Sequence, residues 1–366
     1  MQTTGTALKN WAKKIGTAVG VLFLLLAALI VDFLRHGGQF KTLQPHFAGS
    51  CATLPLDASA EDIQIDRARG LAYLSYLDRR AQVEGKAVTG TIMLLDLNVA
   101  EPRPRAALTT EPADFHPHGL SLYRTGDGSQ RLFVISHPGK QSADQAQRVE
   151  IFEQSATGAF APARTIRDPS LFKPNAILAV GLDQFYIAND SGASDKFQRA
   201  QELLLRRGMS TLLYFDGKQM RVIDRDIKSA AGIGMSPDGG TVYVSETSGN
   251  RLRVYTRNAA NGDLALQELI ELGSAPDNIN VNADGTVWIA AHAKTVALIR
   301  HFTDARHLAP SQIFKLDPRA PRASRLTEIY LNAGEQISAG SVGAVYNKTL
   351  LVGSITERKI LNCRMY

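Results

Sequence analysis

The sequence predicts an all-β fold, a six-bladed β-propeller that follows one N-terminal hydrophobic helix. A short run of β-branched and aromatic residues occurs six times, several runs follow turn residues, and successive runs start 45 to 63 residues apart. A repeat of about 50 residues in a β-rich chain is typical of a propeller, with one blade per repeat. The runs cover residues 70–75, 131–137, 184–190, 241–246, 286–292 and 349–354.

The composition is that of a globular protein, with 44% hydrophobic and 21% charged residues among 366. The net charge is only +6, and Lys and Arg are scattered among acidic residues. Because no basic stripe is present, nucleic acid is excluded as a partner.

The N-terminus predicts a membrane anchor. Lys9, Lys13 and Lys14 precede an apolar run over residues 16–31. With Phe33 and Leu34 this run approaches the roughly 20 residues of a spanning helix, and it exceeds the ~7–15 of a secretory h-region. We predict an uncleaved signal anchor within residues 1–40, its N-terminus cytoplasmic. Residues 41–366 then form the extracytoplasmic domain; a cleaved signal peptide is the alternative.

The chain has two cysteines, Cys51 and Cys363, near the two ends of this domain. In an oxidising compartment a disulfide is the expected use of such a pair. A bond between the ends would close a ring-shaped fold, whereas the alternative is two free thiols.

Residues 194–207 break the β pattern with strong helix formers, and Ser194 or Asp195 is available as the N-cap. We predict a short helix at the mouth of the propeller. It serves either as an insertion packed on the blades or as a lid or membrane-surface element. One face of it carries Phe197, Ala200, Leu203 and Leu204.

Polar residues recur where a propeller would gather them around its tunnel. Carboxylate and asparagine oxygens are the ligands that calcium prefers, whereas zinc would require Cys or several close His. Each residue alone is more often a turn or cap residue, and a calcium site is favoured because these residues recur at similar places in the blades. The candidates are Glu61, Asp62, His137, Asn189, Asp190, Glu246, Asp277, Asn278 and His292.

The segment His116-Pro117-His118-Gly119 is suited to presenting an imidazole at a fixed place. Pro117 restricts φ, and Gly119 permits a close backbone approach. The same residues also suit an ordinary loop. No Gly-x-Ser-x-Gly elbow occurs in the sequence, which disfavours a serine hydrolase.

Several stretches between Cys51 and Cys363 resemble the serum paraoxonase/arylesterase family. The resemblance implies a six-bladed propeller lactonase with two calcium ions and a ring-closing disulfide. The stretches that carry it include Glu61-Asp62, Phe115-His116-Pro117-His118-Gly119-Leu120-Ser121, Leu132-Phe133-Val134-Ile135-Ser136-His137-Pro138, residues 179–190, Met235-Ser236-Pro237-Asp238-Gly239, Asp277-Asn278-Ile279-Asn280-Val281 and residues 350–363.

The resemblance also implies roles for single residues. His118 would be the general base with His137 behind it, Asp277 an alternative nucleophile, and His292 a residue near the site. The catalytic calcium would be held by Glu61, Asn189, Asp277 and Asn278, and the structural calcium by Asp62, Asp190 and the carbonyl of Leu120.

One position departs from the family pattern. The ligand asparagine expected ahead of Gly232-Ile233 is replaced by Ala231. A methyl group cannot bind a cation, so the expected set loses one of its five protein ligands.

The favoured function is calcium-dependent hydrolysis of lactones and of aryl esters. A membrane-anchored propeller that binds calcium but serves as a binding or scaffold module is the alternative, and Ala231 supports it. A third possibility is a propeller with gluconolactonase-like or strictosidine synthase-like chemistry. The His-Pro-His-Gly segment and the cysteine pair disfavour this third possibility.

Overall fold

The structure is a computed structural model that describes residues 3–139 and 145–366. Six antiparallel sheets follow one another around a central tunnel, which confirms the six-bladed propeller. The chain begins with helix α1 (Thr3–His36), strand β1 (His46–Phe47) and strand β2 (Gly49–Pro55).

The first three blades each use four consecutive strands, named here from the tunnel outward. They are β3 (Ser59–Asp66), β4 (Leu71–Leu77), β5 (Thr91–Asp96) and β6 (Arg105–Ala106) in blade one; β7 (Pro117–Arg124), β8 (Gln130–Ser136), β9 (Arg148–Gln154) and β10 (Phe160–Arg167) in blade two; and β11 (Pro174–Ala179), β12 (Phe185–Asn189), β13 (Ser210–Phe215) and β14 (Met220–Ile227) in blade three.

Blade five has β1 as an additional outer strand, and β2 is the outermost strand of blade six. The remaining strands are β15 (Ala230–Met235), β16 (Thr241–Glu246), β17 (Arg251–Arg257) and β18 (Leu264–Glu271) in blade four; β19 (Ala275–Val281), β20 (Val287–His292), β21 (Ser311–Leu316) and β22 (Leu326–Asn332) in blade five; and β23 (Gly340–Tyr346), β24 (Thr349–Ser354) and β25 (Lys359–Met365) in blade six.

The short helices all follow the second strand of a blade. In an antiparallel sheet this strand ends beside the start of the inner strand, so the helices surround the end of the tunnel where the inner strands begin. They are α2 (Arg79–Val83) in blade one, α3 (Lys196–Leu205) in blade three, a 3₁₀ turn (Thr247–Gly249) in blade four and α4 (Thr295–Thr303) in blade five.

The core is divided into six apolar clusters, each between two neighbouring blades. Between blades two and three, for example, the rings of Phe133 and Phe185 lie 5.8 Å apart and neither is exposed. Burying one such side chain stabilises the fold by about 1.5–3 kcal/mol. Every blade therefore depends on its neighbours, which favours a complete ring.

The ring is closed by the first and last strands of the propeller. Strand β2 pairs with β25 along its whole length, and Cys51 lies directly opposite Cys363. The two cysteines form a disulfide, as predicted. The sixth blade is thus built from both ends of the domain.

Helix α1 is apolar, long enough over residues 11–36 to cross a membrane, and none of that stretch is buried against the propeller. Its C-terminal end is held at the helix-bearing end of the ring. The His36 ring lies 3.0 Å from the carbonyl of Ser248, and the Asn250 amide donates to the carbonyl of His36 at 2.8 Å. Arg206, beyond α3, pairs with Asp32 at 2.6 Å.

Candidate active site

A β-bulge lies at the start of the inner strand of every blade. The pairing register shifts after Ala60, Pro117, Pro174, Ala230, Pro276 and Gly340. A bulge adds one residue to its strand and re-aims the side chains there. Six bulges at corresponding places therefore create one circle of side chains at the helix-bearing end of the tunnel.

We call the residue that follows each shift point a member of the bulge ring. Four members carry polar groups suited to chemistry or metal binding, one carries a hydroxyl, and one carries only a methyl group. In chain order the ring is Glu61, His118, Asn175, Ala231, Asp277 and Ser341.

Glu61 is buried at the centre of this arrangement. Its Oε1 accepts a hydrogen bond from the Asn278 amide at 2.8 Å, whereas its buried Oε2 has no hydrogen-bond partner in the described part of the chain. Oε2 lies 3.7 Å from Nε2 of His118. Burial raises the pKa of Glu61, because the charged form is poorly solvated there.

His118 and His137 form an edge-to-face pair with ring centroids 4.8 Å apart. The pKa of His118 is lowered to about 3 by confinement in the tunnel and by the charge of Arg79, so its ring is neutral near pH 7. His137 has its pKa lowered to about 3 as well, by burial and by His118. His118 keeps 20% of its side chain exposed, and its Nε2 has no partner among the described residues.

The tautomer of His137 follows from its neighbour. Its Nδ1 lies 2.6 Å from Oε1 of Gln147. An amide oxygen only accepts hydrogen bonds, so Nδ1 carries the proton and Nε2 of His137 remains an acceptor. His116 differs from His118: it is buried, and its Nδ1 lies 3.2 Å from the carbonyl of Asp114.

Asp277 and His292 form a second buried pair, with Oδ2 3.0 Å from Nε2. Burial raises the pKa of Asp277, while His292 opposes that rise. Nδ1 of His292 is buried and unpartnered within residues 3–139 and 145–366. The side-chain amide of Asn278, the next residue, donates both to Oε1 and to the main-chain carbonyl of Glu61.

Asn189, which the sequence analysis expected among the ligands, is not itself a member of the bulge ring. It ends the second strand of blade three, and its amide is occupied by Lys173, Ser170 and Thr211 at 2.9–3.3 Å. Asn175 stands in the ring instead. Its Oδ1 is buried and lacks a hydrogen-bond partner among the described residues.

A repeated sequence unit could have identified Asn175. Five inner strands carry the same unit at or next to their first residue: a Pro or Ala, two variable residues and then Ile or Leu. Pro117-His118-Gly119-Leu120 is one example, and Pro174-Asn175-Ala176-Ile177 is another. Asn189 ends the second strand of blade three, as His292 ends that of blade five.

Asp62 and Asp190, expected together on a structural calcium, have different surroundings. Asp62 accepts main-chain N–H bonds from Ile63 at 2.8 Å and from Leu120 at 2.9 Å. Leu120 thus contacts Asp62 through its amide nitrogen. Asp190 follows the end of β12, where Ser229 donates a hydrogen bond to it. Burial raises the pKa of Asp190, and burial together with Glu61 raises that of Asp62 to about 8.

Arg79 is a site residue that the sequence analysis missed. This buried guanidinium opens α2 and donates to the carbonyl of Pro117 at 2.6 Å. Its charge lowers the pKa of His118 and opposes the rise in the pKa of Glu61. Arg79 therefore holds the strand that carries His118 and keeps that ring unprotonated.

The oxygen donors of the site fit a calcium ion, which takes six to eight oxygen ligands. Within the described residues no three His, Cys, Asp or Glu side chains converge as a ligand cluster, so asparagine oxygens are needed to complete the set. The free oxygens Glu61 Oε2 and Asn175 Oδ1 are the observation that supports a cation. Asp277 and Asn278 would complete the side-chain donors, and buried Ala231 contributes none.

A cavity of about 330 Å³ lies beneath α3. Its lining includes Arg199 and Arg207, beside the acidic residues Asp190 and Glu202. The lining residues are Asp190, Ser191, Arg199, Glu202, Leu203, Arg207, Ser229, Ser248 and Ile299.

Comparison with known proteins assigns the family. The sequence profile named Arylesterase matches residues 53–365. The chain belongs to the arylesterase family. Membership in the arylesterase family places it among carboxylic ester hydrolases, which argues against a purely structural role.

Curated relatives of this arylesterase-family chain match it over nearly their full length. Serum paraoxonase/arylesterase 1 of Rattus norvegicus is 28% identical over 95% of this chain and 99% of its own. Serum paraoxonase/arylesterase 2 of Homo sapiens is 28% identical, over 94% and 98%. Serum paraoxonase/lactonase 3 of Homo sapiens is 26% identical, over 95% and 98%.

Solved structures confirm the fold of this arylesterase-family chain. A luciferin-regenerating enzyme superposes with a TM-score of 0.54 at 11% identity, covering 86% of this chain and 95% of that one. A putative gluconolactonase gives a TM-score of 0.52 at 16% identity, covering 86% and 92%. At such identities the likeness concerns the propeller alone.

Proposed function

We propose that this chain is a calcium-dependent hydrolase of lactones and aryl esters, anchored in a membrane by α1. The observation that carries the proposal is a set of buried polar atoms around the bulge ring that have no hydrogen-bond partner in the part of the chain that the structure describes. These atoms are Glu61 Oε2, His118 Nε2, Asn175 Oδ1 and His292 Nδ1. Unsatisfied buried polar groups are costly, and native proteins keep them chiefly where they serve a ligand or a reaction.

Glu61, Asn175, Asp277 and Asn278 are the residues that would hold the calcium ion. When bound, calcium would supply Lewis-acid polarisation of the ester carbonyl. The chain itself excludes water from these donors, since Glu61, Asp277 and Asn278 are buried. Such an environment strengthens each charge interaction at the reacting carbonyl.

His118 is the proposed general base. Its neutral ring accepts a proton at Nε2 from the attacking water, and the water oxygen forms a bond to the carbonyl carbon. The proton then passes toward Nε2 of His137 or to the departing alkoxide oxygen as the carbon–oxygen bond of the ester breaks. The products are an acid and an alcohol, joined in one hydroxy acid when the substrate is a lactone.

The cavity beneath α3 suggests one feature of the substrate. Arg199 and Arg207 line it together with Asp190 and Glu202. A substituent that carries a carboxylate would pair with one of these arginines.

The proposed anchor places residues 1–40 in and beside the membrane and residues 41–366 on the extracytoplasmic side. The lysines before the apolar stretch favour a cytoplasmic N-terminus, and the Cys51–Cys363 disulfide supports an oxidising compartment for the propeller.

The test is hydrolysis of a lactone and aryl ester series by the full chain in detergent, with calcium and with chelator. We expect turnover that requires calcium, and His118→Gln should lower kcat by about 10²–10⁴-fold while calcium binding persists. His116→Gln is the matched control, two residues away, and should stay within a few-fold of the wild type. Absence of turnover on every substrate despite bound calcium would contradict the proposal.

A further inference from the structure

His137 and Gln147 face each other at the helix-bearing end of blade two. Strands β8 and β9 pair in antiparallel fashion, and the aligned residues at this end are Ser136 and Arg148. One further step in the same register brings His137 opposite Gln147. The side chain of Gln147 meets the imidazole there, with its Oε1 2.6 Å from Nδ1 of His137.

Both residues of this pair are held by neighbouring bonds. The main-chain N–H of His137 donates to the carbonyl of His116 at 3.1 Å. Arg148, which follows Gln147, is buried and pairs with buried Glu150 at 2.7 Å. This ion pair restrains the main chain beside Gln147, so the contact between the amide and the imidazole is set by the fold of blade two.

The amide oxygen decides which nitrogen of His137 can receive a proton. Because this oxygen only accepts hydrogen bonds, Nδ1 carries the hydrogen and the lone pair lies on Nε2. Without an acceptor beside Nδ1 the hydrogen can reside on Nε2 instead. The ring then turns its lone pair toward residue 147 and has none for a proton that leaves His118.

The neutrality of this partner distinguishes His137 from the other paired histidine of the site. Nε2 of His292 lies 3.0 Å from a carboxylate oxygen of Asp277. A carboxylate favours the charged imidazolium, whereas an amide oxygen orients the ring without adding a charge.

The other titratable or charged groups that act on His137 are His118, Arg79 and His116. None of these three side chains is an anion. A proton that reaches His137 during turnover is therefore not retained by a negative charge, and it can leave again when the leaving group needs it.

We propose that Gln147 is a positioning residue for the hydrolysis, because it fixes His137 as the tautomer that carries its hydrogen on Nδ1. His118 takes a proton from water at Nε2 and passes one to Nε2 of His137. The proton returns to the alkoxide oxygen when the ester bond breaks. The inference rests on the proposed function, since it gives His137 the second place in that proton path.

The first experiment measures the tautomer by nuclear magnetic resonance of the full chain in detergent, with ¹⁵N-labelled histidine. The signals of His137 are identified by their loss in His137→Gln. We expect a protonated Nδ1 and an unprotonated Nε2 in the wild type near neutral pH, and loss of this pattern in Gln147→Leu. A wild-type ring with its hydrogen on Nε2 would overturn the inference, whether or not the protein hydrolyses lactones.

Two variants then separate loss of the acceptor from addition of a charge. Gln147→Leu should lower kcat about 10-fold, a part of what general-base catalysis supplies, with KM within about 2-fold of the wild type. Gln147→Glu keeps an acceptor oxygen beside Nδ1. Its carboxylate should raise the pKa of His137 by about 1–3 and move the acidic limb of the kcat profile to higher pH.

Gln154→Glu is the matched control, since Gln154 ends the same strand β9 at its opposite end. It should change neither kcat nor the titration of His137. An unchanged kcat in Gln147→Leu, or an unchanged His137 titration in Gln147→Glu, would contradict the inference while calcium-dependent hydrolysis stands. The wild-type tautomer tests the inference even if a variant does not fold.

Discussion

Ala231 is the residue at which this site differs most from the family pattern. It occupies the fourth place of the bulge ring, 4% exposed, and offers a methyl group where the family resemblance expects an amide. The cation proposed there would lose one protein oxygen. Water can fill such a place, but a preorganised side-chain ligand binds better because it costs less ordering entropy.

Ala231→Asn should restore that ligand. We expect about 10-fold tighter calcium binding, equivalent to about 1.4 kcal/mol, measured by calcium titration of the chelator-stripped protein. Ala231→Val is the control, since it adds volume without a donor and should bring no gain. An unchanged affinity in Ala231→Asn would mean that the donor set is already complete.

At the residue scale the sequence pointed to some of the polar residues of the bulge ring and missed others. His118 lies between Pro117 and Gly119, whose effects on the backbone can be predicted from the sequence. In the structure His118 is a member of the bulge ring. Asn175 was overlooked because a single asparagine between Pro174 and Ala176 resembles a turn. Arg79 had no sequence pattern at all, since its role depends on α2 lying beside the start of β7.

Helix α3 contributes Arg199, Glu202 and Leu203 to the lining of the cavity beneath it. Its N-terminus was predictable, because Asp195 caps it by accepting from the amide of Gln198 at 2.8 Å. The exposure of its apolar face was not predictable from the sequence. Phe197 belongs to that apolar face, yet it remains 72% exposed. Helix α4 is rich in β-branched residues and depends on tertiary contacts, including the bond from the Thr295 amide to the carbonyl of Gly37.

The cavity beneath α3 leads to a prediction about substrate preference. Arg199→Gln combined with Arg207→Gln should raise KM about 10-fold for a lactone that bears a carboxylate, because two guanidinium groups are lost. An unsubstituted lactone should be affected less than 2-fold. Lys196→Gln, on the same helix but outside this cavity, is the control in steady-state kinetics. Equal losses on both substrates would argue for a general disturbance of the site.

At the scale of the whole molecule, the disulfide determines how firmly the ring is closed. It joins residues separated by 312 positions. In the chain-entropy account a loop of this length stabilises the folded state by at most about 5–6 kcal/mol. Cys51→Ser with Cys363→Ser should lose a large part of that free energy of unfolding, measured by chemical denaturation. Reduction of the wild type should reproduce the loss, and an unchanged midpoint in both cases would show that strand pairing alone closes the ring.

Stability without calcium should depend on pH. Burial raises the pKa of Glu61, Asp277 and Asp62 above their usual values, that of Asp62 to about 8. Unfolded carboxyl groups titrate near pH 4. His118 and His137, whose pKa values are lowered to about 3, act in the opposite direction up to about pH 6.5, the usual pKa of histidine. Between about pH 7 and 8 these histidines are neutral in both states, the folded state holds more protons than the unfolded state through the carboxyl groups, and the free energy of unfolding falls as pH rises.

The chelated protein should accordingly show a thermal midpoint that decreases from pH 7 to pH 8. Saturating calcium should reduce this decrease, since the cation stabilises the ionised carboxylates as the pH rises. Scanning calorimetry at several pH values, with calcium and with chelator, provides both curves. A midpoint that rises with pH under chelation would contradict the assigned direction of these pKa shifts.

The architecture was the most predictable level. Six β runs with turn residues between them correspond to the second strands of six blades, because β alternation and turn chemistry are local properties. The closing blade was anticipated from the positions of Cys51 and Cys363. Strand β1, which extends blade five by pairing with β22, was not predicted, since two residues carry no periodicity.

The pairing of β2 with β25 also has a consequence for how the protein is made. In a chain synthesised from its N-terminus, β2 emerges as one of the first strands but pairs with the last. Its edge therefore stays unpaired until the final residues have been synthesised, and exposed edges invite wrong pairings. Premature termination before Lys359 would leave a nearly complete propeller unable to close, a natural substrate for quality-control proteases.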